Sequence, residues 1–405
     1  MKQRVSLILA VVLIGIAAGL GAAFLSWFIH IIEYFSFGHS ESEFRIVTDH
    51  TTPERRFITM MIGGVIVAVG WWLLQTQGRP VVGINAAIKA ETPSQKRPPF
   101  FENMMHALLQ IVAVGFGAPV GREVAPRELG TLFAGRIADK FAFDPETRRA
   151  LVACGAAAGL AGVYNVPFAG AIFALEILLG SFSVRYAAIS FTISAIAVLV
   201  AHIEISTETF YQVGQISDSW QLSLWALLVG LLVGYPAAYF RKIVKKVEAE
   251  RCKKQQVLWA MPLAFLVTAI VAVWLPEVLG NGRSVAQTAY WGTSLAICFG
   301  LLVAKTVTVL ITLRSGVYGG TLTPGLAIGA ILGLFIGLVT QLIVPETNLL
   351  TAALAGSVGF LAVSMDAPFT AFALTVGFTG QGFDSYLPLS LAVGAAFVTA
   401  SLVKK

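Results

Sequence analysis

The 405-residue chain is 57% hydrophobic and only 12% charged, against about 25% charged residues in ordinary soluble domains. Its net charge of +6 comes from basic residues in short connecting segments, which marks membrane topology and not a nucleic-acid partner. Cys154, Cys252 and Cys298 lack a paired spacing, His30, His39, His50, His106 and His202 are scattered, and no hydrolase or nucleotide motif is present, so no disulfide framework, metal, cofactor or enzymatic activity is expected.

Uncharged runs of about 18 residues or more recur along the length, each long enough to cross a bilayer. This composition predicts an all-α polytopic membrane protein. The first run, Val5–Ile32, is too long for a signal-peptide core and has no small-residue cleavage site, so it reads as a retained span. A polar segment, Ser36–Arg56, precedes the second run, Phe57–Leu74. Then come the stretch VVGINAAIKA at Val81–Ala90 and a third run, Met104–Val114.

Lys89, Lys96 and Arg97, then Arg136, Lys140, Arg148 and Arg149, mark cytoplasmic segments by the positive-inside bias. Tyr186–Phe240 holds no Lys or Arg but carries Glu204, Glu208 and Asp218, as an outside loop does. Arg241–Lys254 holds seven basic residues against Glu248 and Glu250, the strongest cytoplasmic marker and a natural midpoint. Lys404 and Lys405 put the C-terminus on that side. Both termini are expected in the cytoplasm of a cell whose inner (plasma) membrane holds the protein. These charge runs are read as solvated loops that set topology.

The organising stretch is Gly115–Gly130, GFGAPVGREVAPRELG. Pro119 and Pro126 disfavour helix in the residues before them, and Pro126 suits the first turn of a new helix. A helix start leaves backbone N–H groups unpaired and carries partial positive charge, so it attracts an anion. Glu123 is the nearest covalent anion and is read as competing there with a free one. The other readings are a helix-capping carboxylate and an ion pair with Arg122 or Arg127.

The halves of the chain echo each other. NVPFAGAIFALE at Asn165–Glu176 matches DAPFTAFALTVG at Asp366–Gly377, with Pro167 and Pro368 separated by 201 positions. Pro126 matches Pro324 in GGTLTP at Gly319–Pro324, 198 positions apart, and Gly83-Ile84-Asn85 has a weaker echo in Gly280-Asn281-Gly282. The expected organisation is one transmembrane domain, 1–405, with repeats at about 1–200 and 220–405. Duplicated transporters place substrate near the midplane, where interrupted helices meet, and irregular backbone survives at that depth only when buried or lining a cavity. The breaks at 83–85, 115–126, 319–324 and 164–167 are therefore candidate contributors to one site.

GREVAP at 121–126, NVPFAG at 165–170 and GGTLTP at 319–324, in this order and spacing, resemble the CLC superfamily of anion channels and anion/proton antiporters. GREVAPRE and GGTLTP are similar to its fluoride-exporting branch. The resemblance implies an inverted repeat of two antiparallel halves with broken helices meeting at the midplane, and a homodimer with one pore per subunit. It implies that Glu123 is the gating and proton-transfer residue. It further implies an anion path lined by Gly83, Ile84, Asn85, Gly121, Arg122, Val124, Gly320, Thr321, Leu322 and Thr323. Asn85, or Ile84 if the loop shifts by one, falls where chloride-type members carry a serine, and Thr321 or Thr323 falls where the fluoride branch is thought to use a hydroxyl. Ile177 occupies the position of a second glutamate common in the family's antiporters, a glutamate that the fluoride branch also lacks. The family's late tyrosine and C-terminal nucleotide-binding regulatory domain are expected to be absent.

The expected function is secondary active export of fluoride in exchange for protons. The alternatives are a chloride/proton antiporter, a passive anion channel of the same fold, and a membrane receptor or scaffold without flux. Fluoride needs donors to replace its water, and helix-start N–H groups, the Asn85 amide and a threonine hydroxyl supply them. Against this, Asn85 also suits a turn, and the threonines suit back-bonding to a helix carbonyl. Glu176 is read as structural or as an inner proton contact. Trp71 and Trp72 are read as anchors or packing, and Phe116 as packing or pore lining.

Overall fold

The computed structural model describes residues 2–38, 51–90, 97–217 and 219–403. His39, His50, Lys96, Asp218, Lys404 and Lys405, which carried parts of the sequence reading, lie outside the described residues. Among those described, no β-strand is present, only an isolated antiparallel bridge from Gly121 to Gly320. Eight helices among the described residues are long and apolar enough to cross a membrane. They leave large apolar side chains such as Ile8, Leu199, Leu232 and Val398 exposed, as lipid-facing positions require. The architecture is that of an all-helical polytopic membrane protein.

Among the described residues sixteen α-helices follow one another: α1 (Lys2–Phe37), α2 (Pro53–Gln77), α3 (Ile84–Ile88), α4 (Phe100–Gly115), α5 (Val124–Lys140), α6 (Pro145–Tyr164), α7 (Pro167–Phe173), α8 (Val184–Ala201), α9 (Trp220–Ala249), α10 (Val257–Trp274), α11 (Arg283–Trp291), α12 (Leu295–Arg314), α13 (Leu322–Gln341), α14 (Leu349–Met365), α15 (Pro368–Thr379) and α16 (Tyr386–Val403). The chain divides into two compact units. The first comprises Met1–His30, Gly70–Ile111 and Arg122–Phe210; the second comprises Ile31–Val69, Val112–Gly121 and Tyr211–Lys405.

In the first unit α5 packs on α6 through small residues. A Cβ on Gly159 meets the Pro126 carbonyl oxygen at 2.1 Å, and one on Gly130 meets that of Gly155 at 2.1 Å. Gly155 and Gly159 thus form the close-approach pair that lets membrane helices bring backbones together. In the second unit α13 packs on α14 in the same manner, with Gly333 against the Ala352 carbonyl at 2.1 Å and Gly356 against that of Gly329 at 2.3 Å.

The repeated motifs share local geometry. α6 ends at Asn165 (φ 55°) and α14 at Asp366 (φ 58°). Each is a left-handed residue followed by a proline-started helix. In both, bonds of the Schellman type close the helix: Val166 N–H to the Ala161 carbonyl and Asn165 N–H to that of Gly162, and Ala367 N–H to Ala362 and Asp366 N–H to Val363. Asn and Asp tolerate this backbone better than other residues with a Cβ, which explains their place in the echo. The weaker echo differs in backbone. Gly280 and Gly282 are left-handed (φ 67° and 102°), whereas Gly83 is extended at φ −70°.

Candidate functional site

The central break begins where α4 ends in a Schellman closure. Gly117, left-handed at φ 96°, follows the last turn, with Ala118 N–H bonded to the Ala113 carbonyl at 2.9 Å and Gly117 N–H to that of Val114 at 2.8 Å. Four residues on, Gly121 N–H donates to the Gly320 carbonyl and Gly320 N–H donates back, both at 2.8 Å. A Cβ on Gly319 meets the Val120 side chain at 2.5 Å, so the two segments of this bridge approach too closely for a larger residue there without a shift. Within the second unit, the Gly117–Gly121 part of the central break is therefore hydrogen-bonded to the start of GGTLTP. The N–H groups of Gly121 and Gly320 are each engaged by the other residue's carbonyl.

Arg122 and Glu123 follow and open the last segment of the first unit. Glu123 is completely buried and occupies the N-cap position of α5 (φ −71°, ψ −16°), yet its side chain makes no capping bond. The Tyr164 hydroxyl lies 3.5 Å from Glu123 Oε2, at the outer limit of a hydrogen bond. Arg127 turns back so that Nε donates to the Glu123 carbonyl at 2.8 Å, and its guanidinium stacks 5.1 Å from the Phe173 ring centre. Buried Arg122 lies 5.7 Å over the Tyr164 ring, whose edge meets Phe210 at 5.0 Å. Val124 is half-buried in the first helical turn, and Pro126 stands in that turn as expected. A carboxylate with a hydroxyl at its edge, two guanidinium groups nearby and a helix start behind it occupies an electropositive place that favours an anion.

Gly83 caps α3 without a side-chain bond, and its φ of −70° with open space around a Cβ means glycine is not required there. Ile84 is half-buried and Asn85 exposed, with the Asn85 carbonyl accepting Lys89 N–H at 3.1 Å. The segment is held at both ends. The Asn103 side chain pairs with the backbone of Val82 (2.8 and 3.3 Å), and Arg79 pairs with Glu102 (2.9 and 3.2 Å). Buried Arg148 bonds Asp139 at 2.7 Å and caps the carbonyls of Ala87 and Ala90. Arg148 is thus no solvated topology marker; its fork geometry satisfies carbonyls that a five-residue helix leaves open.

In the second unit Thr321 is the half-buried N-cap of α13, without a side-chain capping bond, while Leu322 and Thr323 are buried. Sequence reasoning missed Lys305. It is fully buried on α12, and its Nζ donates to the carbonyls of Val278 (2.9 Å) and Gly280 (2.7 Å). The neighbouring Gly282 touches both Lys305 and Pro324, for a Cβ there lies 3.3 and 3.4 Å from them. A cation thus underlies the loop that packs on the first turn of α13. The lone lysine in an apolar run was the available signal. Lys305→Met is expected to leave two carbonyls unpaired, costing about 1–3 kcal/mol for each. A lowered thermal midpoint in detergent checks this; an unchanged midpoint refutes it.

Tyr164 was also missed, though it directly precedes the NVPFAG motif; nothing local distinguishes it from packing. His106, read as scattered, forms a buried cluster. Its Nδ1 lies 2.8 Å from Glu128 Oε2, and Gln110 Nε2 donates to Glu128 Oε2 at 3.0 Å. The i,i+4 spacing of His106 and Gln110 was readable, but the partner five residues past Glu123 was not. Glu176 lies in a π-helical turn, Ala174–Leu179, that continues α7, not in a regular α-helix. Trp71 is buried edge-on to His106, and half-buried Phe116 packs on Gly63.

The family model described as voltage gated chloride channel matches residues 62–401. The chain belongs to the CLC family. Among curated relatives it is similar to the voltage-gated ClC-type chloride channel ClcB of Salmonella typhimurium strain LT2, at 26% identity over 92% of this chain and 91% of that one. The ClcB of Escherichia coli O17:K52:H18 is equally similar, at 26% over the same shares. Among solved structures, a slow cyanobacterial Cl⁻/H⁺ antiporter superposes with a TM-score of 0.83 at 19% identity, over 98% of this chain and 95% of that one. A CLC-type fluoride/proton antiporter superposes with a TM-score of 0.77 at 20% identity, over 99% and 97%. The CLC fold is common to all of them.

Proposed function

We propose that this CLC protein is a secondary active antiporter that exports fluoride in exchange for protons, with Glu123 as gate and proton carrier. The observation that carries the reading is a fully buried carboxylate at the N-cap of α5 that makes no capping bond there. An ionisable group kept in a membrane interior at the positive end of a helix is functional by default. When ionised, Glu123 holds the electropositive place; when protonated, it leaves that place to an anion. One proton moving inward then matches an anion moving outward. Asn85 and the hydroxyl of Thr321 or Thr323 replace fluoride's water. Both termini face the cytoplasm, the repeats span about 1–200 and 220–405, and two copies assemble with one pore each.

A chloride/proton antiporter or passive anion channel is the second reading, favoured by the ClcB relatives and by the superposition on a Cl⁻/H⁺ antiporter. Support for fluoride is the GREVAPRE and GGTLTP pair and the superposition on a fluoride/proton antiporter. Efflux from liposomes loaded in parallel with fluoride or chloride, with internal pH recorded, decides. Fluoride efflux with proton uptake and little chloride efflux is expected. Equal chloride efflux moves the protein to the chloride reading, and efflux without proton movement makes it a channel.

Asn85→Ser is expected to lower the fluoride-to-chloride flux ratio by about tenfold, the equivalent of roughly one hydrogen bond to a charged group. Parallel efflux assays measure it, and an unchanged ratio returns Asn85 to a turn role.

A further inference from the structure

The charged end of α9 carries more than a topology signal. The apolar stretch Trp220–Phe240 is about 30 Å long as a helix, so Arg241, Lys242 and Lys245 stand where lipid headgroups begin. There α9, α14 and α16, which pack on one another within the second unit, enclose a cavity of about 280 Å³. Its rim holds Arg241, Lys242, Lys245 and Asp366, and its floor is apolar, with Val363 and Phe397.

The polar contacts of the rim are specific. Arg241 Nη2 bonds Asp366 Oδ2 at 2.6 Å. Lys242 Nζ donates to the Val403 carbonyl at 2.7 Å, and Lys245 is exposed. With one carboxylate against three cations, the rim keeps two net positive charges. A guanidinium has five donors and an ammonium three, so these contacts leave donors to spare. Asp366 holds Arg241 in place instead of cancelling the site.

We propose that this cavity binds an anionic phospholipid, with the phosphodiester on Lys242, Lys245 and Arg241 and the first part of an acyl chain over Phe397 and Val363. A basic pocket between transmembrane helices is the kind of site that takes such headgroups. The apolar floor favours a lipid over free phosphate, because only a lipid brings hydrocarbon to cover it.

The test is native mass spectrometry of the purified full chain with equal amounts of phosphatidylglycerol and phosphatidylcholine. The wild type retains phosphatidylglycerol in preference. The variant Lys242→Gln/Lys245→Gln loses that preference by about fivefold per lysine, and Lys242→Arg/Lys245→Arg keeps it. Unchanged preference in the Gln variant overturns the proposal. So does equal loss in the Gln and Arg variants, which would mean that charge plays no part. Excess inorganic phosphate is expected to leave the lipid in place; displacement assigns the site to free phosphate and overturns the lipid.

Discussion

Glu123→Gln is expected to abolish proton movement. Gln fills the same volume at the start of α5 and accepts the same neighbours, but it has no proton to release at any accessible pH. In liposomes, internal pH then stays flat while an anion gradient runs down, and the rate no longer responds to external pH. The Tyr164 hydroxyl, 3.5 Å from Oε2, remains in place, so the loss isolates titration from packing. Proton movement that survives at the wild-type rate removes Glu123 from the mechanism.

The second large effect concerns a residue that touches no ion. Gly159→Ala places a Cβ 2.1 Å from the Pro126 carbonyl oxygen and 2.6 Å from its carbon. Backbone cannot rotate out of the way as a side-chain tip can, so α5 and α6 must separate. Overpacking of this kind costs about 1–3 kcal/mol, and the strain falls on the turn that follows Glu123. Reduced thermal stability in detergent and anion flux lowered about tenfold or more are expected. The matched control for thermal stability alone is Gly83→Ala, where φ is −70° and nothing lies within 4 Å. That change is expected to be neutral or to stabilise by about 0.4–1 kcal/mol. Equal behaviour of the two variants refutes the role given to the α5–α6 contact.

Much of the architecture was legible in one dimension because its causes are local. Helix length follows from apolar runs, and helix starts and stops follow from residues such as Pro126, Pro167 and Asn165, whose backbone preferences act where they stand. The echo of NVPF in DAPF told of two equivalent helix pairs, because the same local chemistry closes α6 and α14. Spacing also pointed to Glu123, since a charge in an apolar context at a helix start is visible without coordinates.

What stayed hidden depends on partners remote in sequence. The Gly121–Gly320 bridge joins residues nearly two hundred positions apart, and no composition rule pairs one glycine with another. Arg148 looked like its basic neighbours until its fork met Asp139 and the open carbonyls of α3. Lys305 looked like a stray charge until Val278 and Gly280 turned their carbonyls to it. The chain alone therefore carried the helical class, the paired NVPF and DAPF helix ends and the buried carboxylate at the start of α5, each a matter of local propensity and pattern. Which buried charges are satisfied, and by what, was decided only in three dimensions, because a desolvated cation is tolerated only where folding brings acceptors within hydrogen-bond reach.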